Sequence, residues 1–275
     1  MPELPETETI ARDLDGAVRD RKITRVSVRK PDVLREISAR SLSRKLNGAR
    51  ILRSWRRAKL VVIDLDTDDR IVVQPRFTGA LLIDDGSLAP AELSYSTVRM
   101  ELDDGRALHY ADVRRLGTFT LMSAKRFDEY SGKLGIEPLD RSFTTTHLSA
   151  VLRASSQPVK KVLMEQRKIA GIGNIYANEA LWLAGIDPSR TAASVSLEEA
   201  DQLRESIVGV LGAAIEARGT SFRDYRDARG KRGSFVEQLH AYGRGGAPCH
   251  RCGAKLVTTH AVDGRATTLC VRCQH

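Results

Sequence analysis

Four cysteines stand as two Cys-x-x-Cys pairs, Cys249 with Cys252 and Cys270 with Cys273, separated by seventeen residues. Thiolates at that spacing form two knuckles on a β-hairpin, and together they complete a tetrahedral zinc site. Such a site is closed. With sulfur in every position no substrate reaches the metal, so its role is to hold a fold rather than to react. Between the knuckles, Gly264-Arg265-Ala266-Thr267-Thr268 falls near the hairpin tip, where a guanidinium can reach a phosphate or a DNA groove. A second candidate is Gly171-Ile172-Gly173-Asn174. Two glycines there let a phosphate approach the backbone, and the helix that follows offers unpaired N–H groups and a positive dipole end, with Asn174 expected as the N-cap. By itself such a turn more often only joins helices.

Composition points the same way. Lys and Arg number 44 against 35 Asp and Glu, a net charge of +9, which favours a polyanionic partner through counterion release. No run of about 18 apolar residues is present to span a bilayer. The start, Met1-Pro2-Glu3-Leu4-Pro5-Glu6, is acidic where a secretory signal would be basic. The expected setting is therefore the cytoplasm, on nucleic acid and away from membrane. All four cysteines lie in the last 27 residues, and a reducing compartment disfavours disulfides among them.

These residues need a scaffold, and hydrophobic periodicity outlines it. Ile10, Leu14 and Val18 recur every four residues, predicting an amphipathic helix from Pro5 to Val18. Short β-like runs follow at Ile23 to Val28, Ala49 to Trp55, Leu60 to Leu65, Ile71 to Val73, Ala80 to Ile83, Val98 to Leu102, Ala107 to Tyr110 and Thr118 to Met122. Asp85-Gly86 and Asp104-Gly105 are read as hairpin turns between them. Many evenly spaced strands predict a β-sandwich or barrel beside the first helix.

Lys125 to Arg141 is charged, contains Gly132, Gly135 and Pro138, and reads as a loop-like linker. Beyond it the signals are helical: from Pro158 to about Lys168, from Asn174 to Ala184 with Gly185 as the stop, and from the capping box Ser196-Leu197-Glu198-Glu199 through Ala217. Gly219 to Gly233 is polar and reads as a mobile loop. The expectation is an α+β multidomain chain: an N-terminal helix and β-sandwich over 1–124, a linker over 125–142, a helix–turn–helix module over 143–244, and a four-cysteine zinc-finger hairpin over 245–275.

Pro2-Glu3-Leu4-Pro5-Glu6, Gly171-Ile172-Gly173-Asn174-Ile175-Tyr176-Ala177-Asn178-Glu179 and Tyr242-Gly243-Arg244 ahead of the cysteines together closely resemble the bacterial formamidopyrimidine-DNA glycosylases, in register from Pro2 to Gln274. Three motifs in the right order are far more specific than any one. The resemblance implies that the 143–244 module is a helix–two-turn–helix domain whose Thr220 to Gly233 segment caps the flipped base, with damaged double-stranded DNA held between domains, one structural zinc ion, a monomer, and a bifunctional glycosylase and abasic-site lyase for oxidised purines. It also implies roles: Pro2 as nucleophile once Met1 is removed, Glu3 as proton donor, Lys59, Asn174 and Arg265 as phosphate contacts, Arg114 against the orphaned base, and Tyr242 within the DNA-contacting set.

The residue chemistry agrees with those roles. A free α-amino group titrates near pH 8, so an appreciable unprotonated fraction can attack a sugar C1′, whereas a lysine near 10.4 would need a large shift. Glu3 and Glu6 are also ordinary first-turn carboxylates favoured by the helix dipole.

Two stretches depart from the family pattern. Gln74-Pro75-Arg76-Phe77-Thr78-Gly79 stands where members commonly carry His-Leu-Gly-Met-Ser-Gly, and Asp112-Val113-Arg114-Arg115-Leu116-Gly117 where Asp-Pro-Arg-Arg-Phe-Gly is usual. Phe77 thus replaces the void-filling methionine and Leu116 the intercalating phenylalanine. One rival is an endonuclease VIII-like glycosylase for oxidised pyrimidines, although Leu4 matches the purine-lesion form. Another is a non-catalytic nucleic-acid-binding protein built from a helix–turn–helix and a zinc ribbon.

Overall fold

The computed structural model describes residues 2–275. It divides into two compact units, Met1–Gly132 with Ile215–Val236, and Lys133–Ala214 with Glu237–His275. The 215–236 segment therefore clusters with the N-terminal unit and not with the helices that precede it. No helix among the described residues is long and apolar enough to cross a membrane.

In chain order the first unit contains α1 (Leu4–Val18), β1 (Ile23–Val28), β2 (Leu34–Arg35), α2 (Ala39–Leu46), β3 (Ile51–Arg57), β4 (Leu60–Leu65), β5 (Asp69–Gln74), β6 (Gly79–Asp84), α3 (Pro90–Leu93), β7 (Ser96–Leu102), β8 (Ala107–Asp112), β9 (Thr118–Ser123) and α4 (Ala124–Ser131). The strands form two sheets, ordered β1-β7-β8-β6 and β2-β9-β5-β4-β3. Their inward side chains make one core: Val98, Met100, Leu108 and Leu81 from one sheet, Val61, Ile63, Ile71 and Phe119 from the other. Ile10, Leu14 and Val18 of α1 complete it, and all three are fully buried. The predicted periodicity and the sandwich are both present, as is β-branched richness in the central strands, where it suits a pleated, packed surface.

Asp104-Gly105 does turn β7 into β8, with Gly105 at φ +85°. Asp85-Gly86 does not form the expected hairpin, because β6 pairs with β8 and not with β7, so the chain must cross over by way of α3. The stretch read as a loop-like linker begins with a helix, α4. Ser123 caps it by accepting the Arg126 N–H, and Phe127 buries against Trp55 with ring centroids 5.5 Å apart. Helix α2, capped by Ser38, was not anticipated.

The second unit carries α5 (Thr145–Arg153), α6 (Val159–Leu163), α7 (Asn174–Ala184), α8 (Leu197–Glu216, whose last two residues cluster with the first unit), β10 (Val257–Thr259) and β11 (Thr267–Leu269). Helix α6 ends five residues short of the expected Lys168. The Gln166 side chain takes over there, donating to the carbonyls of Met164 and Ile172 and accepting the Gly171 N–H, and so shapes the turn between helices. Gly185 in the left-handed region (φ 71°) stops α7 as expected. Strands β10 and β11 pair antiparallel as the hairpin between the cysteine pairs.

Candidate functional site

In the first unit the chemistry-bearing residues gather at the start of α1. Pro2 is buried, and Glu3 and Glu6 are each 1% exposed. Pro5 lies in the first turn, where its missing N–H costs nothing. One oxygen of Glu6 accepts the backbone N–H of Glu3 at 2.8 Å, and the other accepts the N–H of Thr220 at 2.8 Å. Two backbone donors aimed at one buried carboxylate fix the chain beside the N-terminus. Glu6 is thus more than a dipole-favoured carboxylate. It joins the first turn to the 220–233 segment.

Lys59 sits in the two-residue turn between β3 and β4, half-buried, after Ala58 at φ +53°. Thr7, one turn from Glu3, donates to the Ala58 carbonyl at 3.4 Å, and α1 packs on β3 and β4. The fold therefore brings Pro2, Glu3 and Lys59 to one end of the sandwich.

Phe77, Arg114 and Leu116 form a second cluster on this unit. Phe77 is 45% and Leu116 38% exposed, and the Arg114 guanidinium lies 5.2 Å from the Phe77 ring centroid. Both loops hang on Asp112, to which the sequence alone assigns no role. Its buried carboxylate accepts the Thr78 hydroxyl at 2.5 Å, the Gly117 N–H at 2.8 Å and the Tyr110 hydroxyl at 3.2 Å, while the Thr78 oxygen in turn accepts the Arg114 N–H at 3.0 Å. A Cβ on Gly117 would sit 2.1 Å from the Tyr110 hydroxyl and 2.7 Å from the Gln74 carbonyl, so this turn closes only around glycine.

In the second unit, Asn174 is the first residue of α7 and not its N-cap, a place taken by Gly173. Its side chain is thereby free of capping duty and donates to the Ala266 carbonyl at 3.0 Å, beside Arg265. Asn178 receives the Thr268 N–H at 2.7 Å, and the fully buried Lys160 donates to the Thr267 hydroxyl at 2.6 Å and to Asp263 at 3.3 Å. Arg265 itself is exposed, with one guanidinium nitrogen 3.5 Å from the Met164 sulfur. Tyr242 is placed by Glu179, which accepts the N–H groups of His240, Ala241 and Tyr242 at 2.7 to 2.9 Å. Burial pushes the Glu179 carboxyl upward against the pull of those donors. Asn178 and Glu179 fall inside the motif that carries the family resemblance, and the local signal for their roles is polarity inside a helix that is otherwise apolar and buried.

The sulfurs of Cys249, Cys252, Cys270 and Cys273 all lie within 4.8 Å of one another, and none is disulfide-bonded. A tetrahedral zinc with bonds of about 2.3 Å requires sulfurs about 3.8 Å apart, and Cys252 and Cys270 stand at 3.5 Å. The donor set and its spacing fit a closed metal site. A small apolar group, Trp182, Ala241 and Leu256 with Cys249 and Cys270, packs around it, flanked by the partly buried Leu183 and Ala254.

Family models described as the formamidopyrimidine-DNA glycosylase N-terminal domain and the formamidopyrimidine-DNA glycosylase H2TH domain match residues 1–119 and 134–226. A formamidopyrimidine-DNA glycosylase from Heliobacterium modesticaldum is 40% identical over 277 residues, covering all of both chains. A Lactococcus lactis Fpg variant solved with Fapy-dG-containing DNA superposes with a TM-score of 0.91 at 32% identity over the whole of both chains. The wild-type Lactococcus lactis protein solved with DNA containing an oxidised pyrimidine gives 0.90 at 32%, again over both chains.

Proposed function

The chain belongs to the formamidopyrimidine-DNA glycosylase family, DNA glycosylases of base-excision repair with abasic-site lyase activity, and on that premise we propose that it removes oxidised purines from DNA with the Pro2 amine as nucleophile. The observation that carries the assignment is the start of α1, where Glu6 fixes the backbone beside Pro2, with Glu3 next to it and Lys59 at the same end of the sandwich. Once Met1 is cleaved, the Pro2 nitrogen attacks C1′ of the damaged nucleoside. The C1′–N bond breaks and the base leaves with a proton, while Glu3 protonates the sugar ring oxygen so that the ring opens. The resulting iminium withdraws electrons and acidifies C2′. Loss of that proton expels the 3′ phosphate, a second elimination expels the 5′ phosphate, and water releases the amine.

Lys59, Asn174 and Arg265 hold backbone phosphates. Phe77 and Leu116 fill the space the base vacates, Arg114 meets the orphaned partner, and Tyr242 completes the DNA-facing set. The 220–233 segment covers the everted base. Zinc on the four cysteines supplies structural rigidity to the hairpin bearing Arg265, and no chemical step passes through it. The protein acts as a monomer on the bacterial nucleoid.

The test is borohydride trapping, since only an enzyme that forms a Schiff base becomes covalently joined to DNA. Wild-type protein, shown by intact mass to lack Met1, should be trapped on 8-oxoguanine duplexes, and Glu3→Gln should lose base excision. Full activity in a chain proven to keep Met1 would sink the mechanism. Because a relative has been solved with oxidised-pyrimidine DNA, the same assay is run on an oxidised-thymine duplex. Stronger trapping there would transfer the assignment to pyrimidine lesions, and no trapping on either would leave a binding protein.

A further inference from the structure

The 220–233 segment is polar and was expected to be mobile, yet it is built into the first unit at several points. At its base, Thr220 bonds to Glu6 and pairs across a bridge with Ser234, and the Ser221 hydroxyl oxygen accepts the Gly233 N–H at 3.0 Å. A Cβ on Gly233 would stand 2.2 Å from the Gly219 carbonyl, so the two ends of the segment touch backbone to backbone. In its middle, Tyr225 and Ala228 belong to the sandwich core, and the Ala228 carbonyl accepts the Ile83 N–H of β6 at 2.8 Å.

Asp227 organises the remainder. It is 0% exposed, accepts the backbone N–H groups of Arg229 at 2.9 Å and Lys231 at 2.8 Å, and receives the Arg218 guanidinium. Arg218 stands at φ +60° and also donates to Asp13 on α1. A buried carboxylate with one cation and two N–H donors is a strong clamp, because removing either partner strands the other in a desolvated place. What the clamp leaves exposed is the tip Phe222-Arg223-Asp224, together with Arg229 and the Lys231-Arg232 pair. The Phe222 carbonyl accepts from the Arg232 guanidinium at 3.4 Å and the Arg223 carbonyl from Arg226 at 3.2 Å. Arg223 and Asp224 border a cavity of about 200 Å³ whose other walls include Thr78, Ala80, Tyr95 and Val113.

We propose that Asp227, clamped by Arg218, is a positioning residue that governs lesion choice: it holds the segment as a preformed arch, and the Phe222-Arg223-Asp224 tip alone adjusts to the everted base. This rests on the assignment of 220–233 as the cover of that base. The arch is ordered before DNA arrives, so its folding does not draw on binding energy. An abasic site presents no base to cover. Loosening the clamp therefore slows excision of a damaged base while sparing nicking at a preformed abasic site, a split that general destabilisation does not produce.

The experiment measures single-turnover excision on an 8-oxoguanine duplex and nicking on an abasic duplex for wild type, Asp227→Asn, Arg218→Gln and Arg218→Lys, with a thermal midpoint for each. Excision should fall roughly tenfold or more in the first two variants, recover in part in Arg218→Lys, and nicking should stay within about twofold. A parallel loss on both substrates, or no loss on either, overturns the proposal. Arg218 is partly exposed, so its variants carry the test even where Asp227→Asn does not fold. Phe222→Ala should change the ratio of rates on 8-oxoguanine and oxidised thymine, and an unchanged ratio removes the tip from the proposal. Failure of wild-type protein to be trapped on abasic DNA would instead sink the proposed function, and is read separately.

Discussion

The sandwich and the cysteine hairpin keep functional residues in place by opposite means. The sandwich buries a continuous apolar core drawn from two sheets and α1, which carries Pro2, Glu3 and Lys59 on its rim with the Glu6 carboxylate as the main polar tie. The hairpin has two three-residue strands and a handful of apolar contacts. Its position depends on four sulfurs and on buried polar anchors from Lys160, Asn178 and Gln274, the last donating to the Ile186 carbonyl and accepting the Cys270 N–H. Apolar burial is non-directional and tolerates local change. Polar anchoring is directional, and leaving one partner unmet costs about 1–3 kcal/mol. The hairpin should accordingly fail sharply under changes that the sandwich survives.

The largest contrast should come from the metal. Chelation, or Cys252→Ser, should lower affinity for a lesion duplex by about a hundredfold or more, while the unfolding midpoint of the sandwich moves by less than roughly 2 °C. Gel-shift titration with calorimetry reads both, and intact lesion binding after zinc removal would erase the contrast. Glu179→Gln comes next. The amide turns one of its oxygens into a donor facing N–H groups that need an acceptor, costing about 2 kcal/mol in a denaturant titration, and a loss below about 0.5 kcal/mol would show that the 240–242 chain is held by other contacts.

What the sequence made legible follows the same divide. Ile10, Leu14 and Val18 announce their burial through spacing, because apolar periodicity is local information. The cysteine pairs are equally legible, since metal geometry dictates spacing. Lys160 is the opposite case. Beside Lys161 it reads as a solvated charge, yet it is fully buried, because its partners Asp263 and Thr267 lie about a hundred positions onward. The anchoring roles of Asp112, Glu179 and Asp227 are illegible for the same reason, as is the anchoring of 220–233, whose polarity is spent on internal bonds and not on water. Helices α2 and α5 are too short, at 8 and 9 residues, for periodicity to separate them from loop, although Thr144 caps α5 in the usual way.

Smaller effects sharpen the comparison. Arg265→Ala should weaken DNA binding evenly across sequences and reduce the slope of log affinity against log salt by about one phosphate contact, and an unchanged slope would remove Arg265 from the phosphate set. The smallest concerns Arg190 and Glu199, where the guanidinium hydrogen bonds hold the Glu199 carboxyl down at about 2. A depressed carboxyl stabilises the fold above its unfolded value near 4.3 and loses that contribution as pH falls toward 2. The pair is partly solvated, so Glu199→Gln should cost about 0.5–1 kcal/mol at pH 7, with the difference from wild type vanishing by pH 2. A constant difference across that range would mean the effect is steric.

Asp112 has a mechanical consequence. Its carboxylate grips Thr78 on one exposed loop and Gly117 on the other, and the Thr78 oxygen holds the Arg114 N–H in turn, so Phe77 and Leu116 are mounted on a single plate with Asp112 as its central fastener. Neither side chain moves independently of the other's loop. If both serve as the proposed wedge, a fluorescent base analogue beside the lesion should report a single opening phase in stopped flow, splitting into two only when Asp112→Ala loosens the two loops from each other.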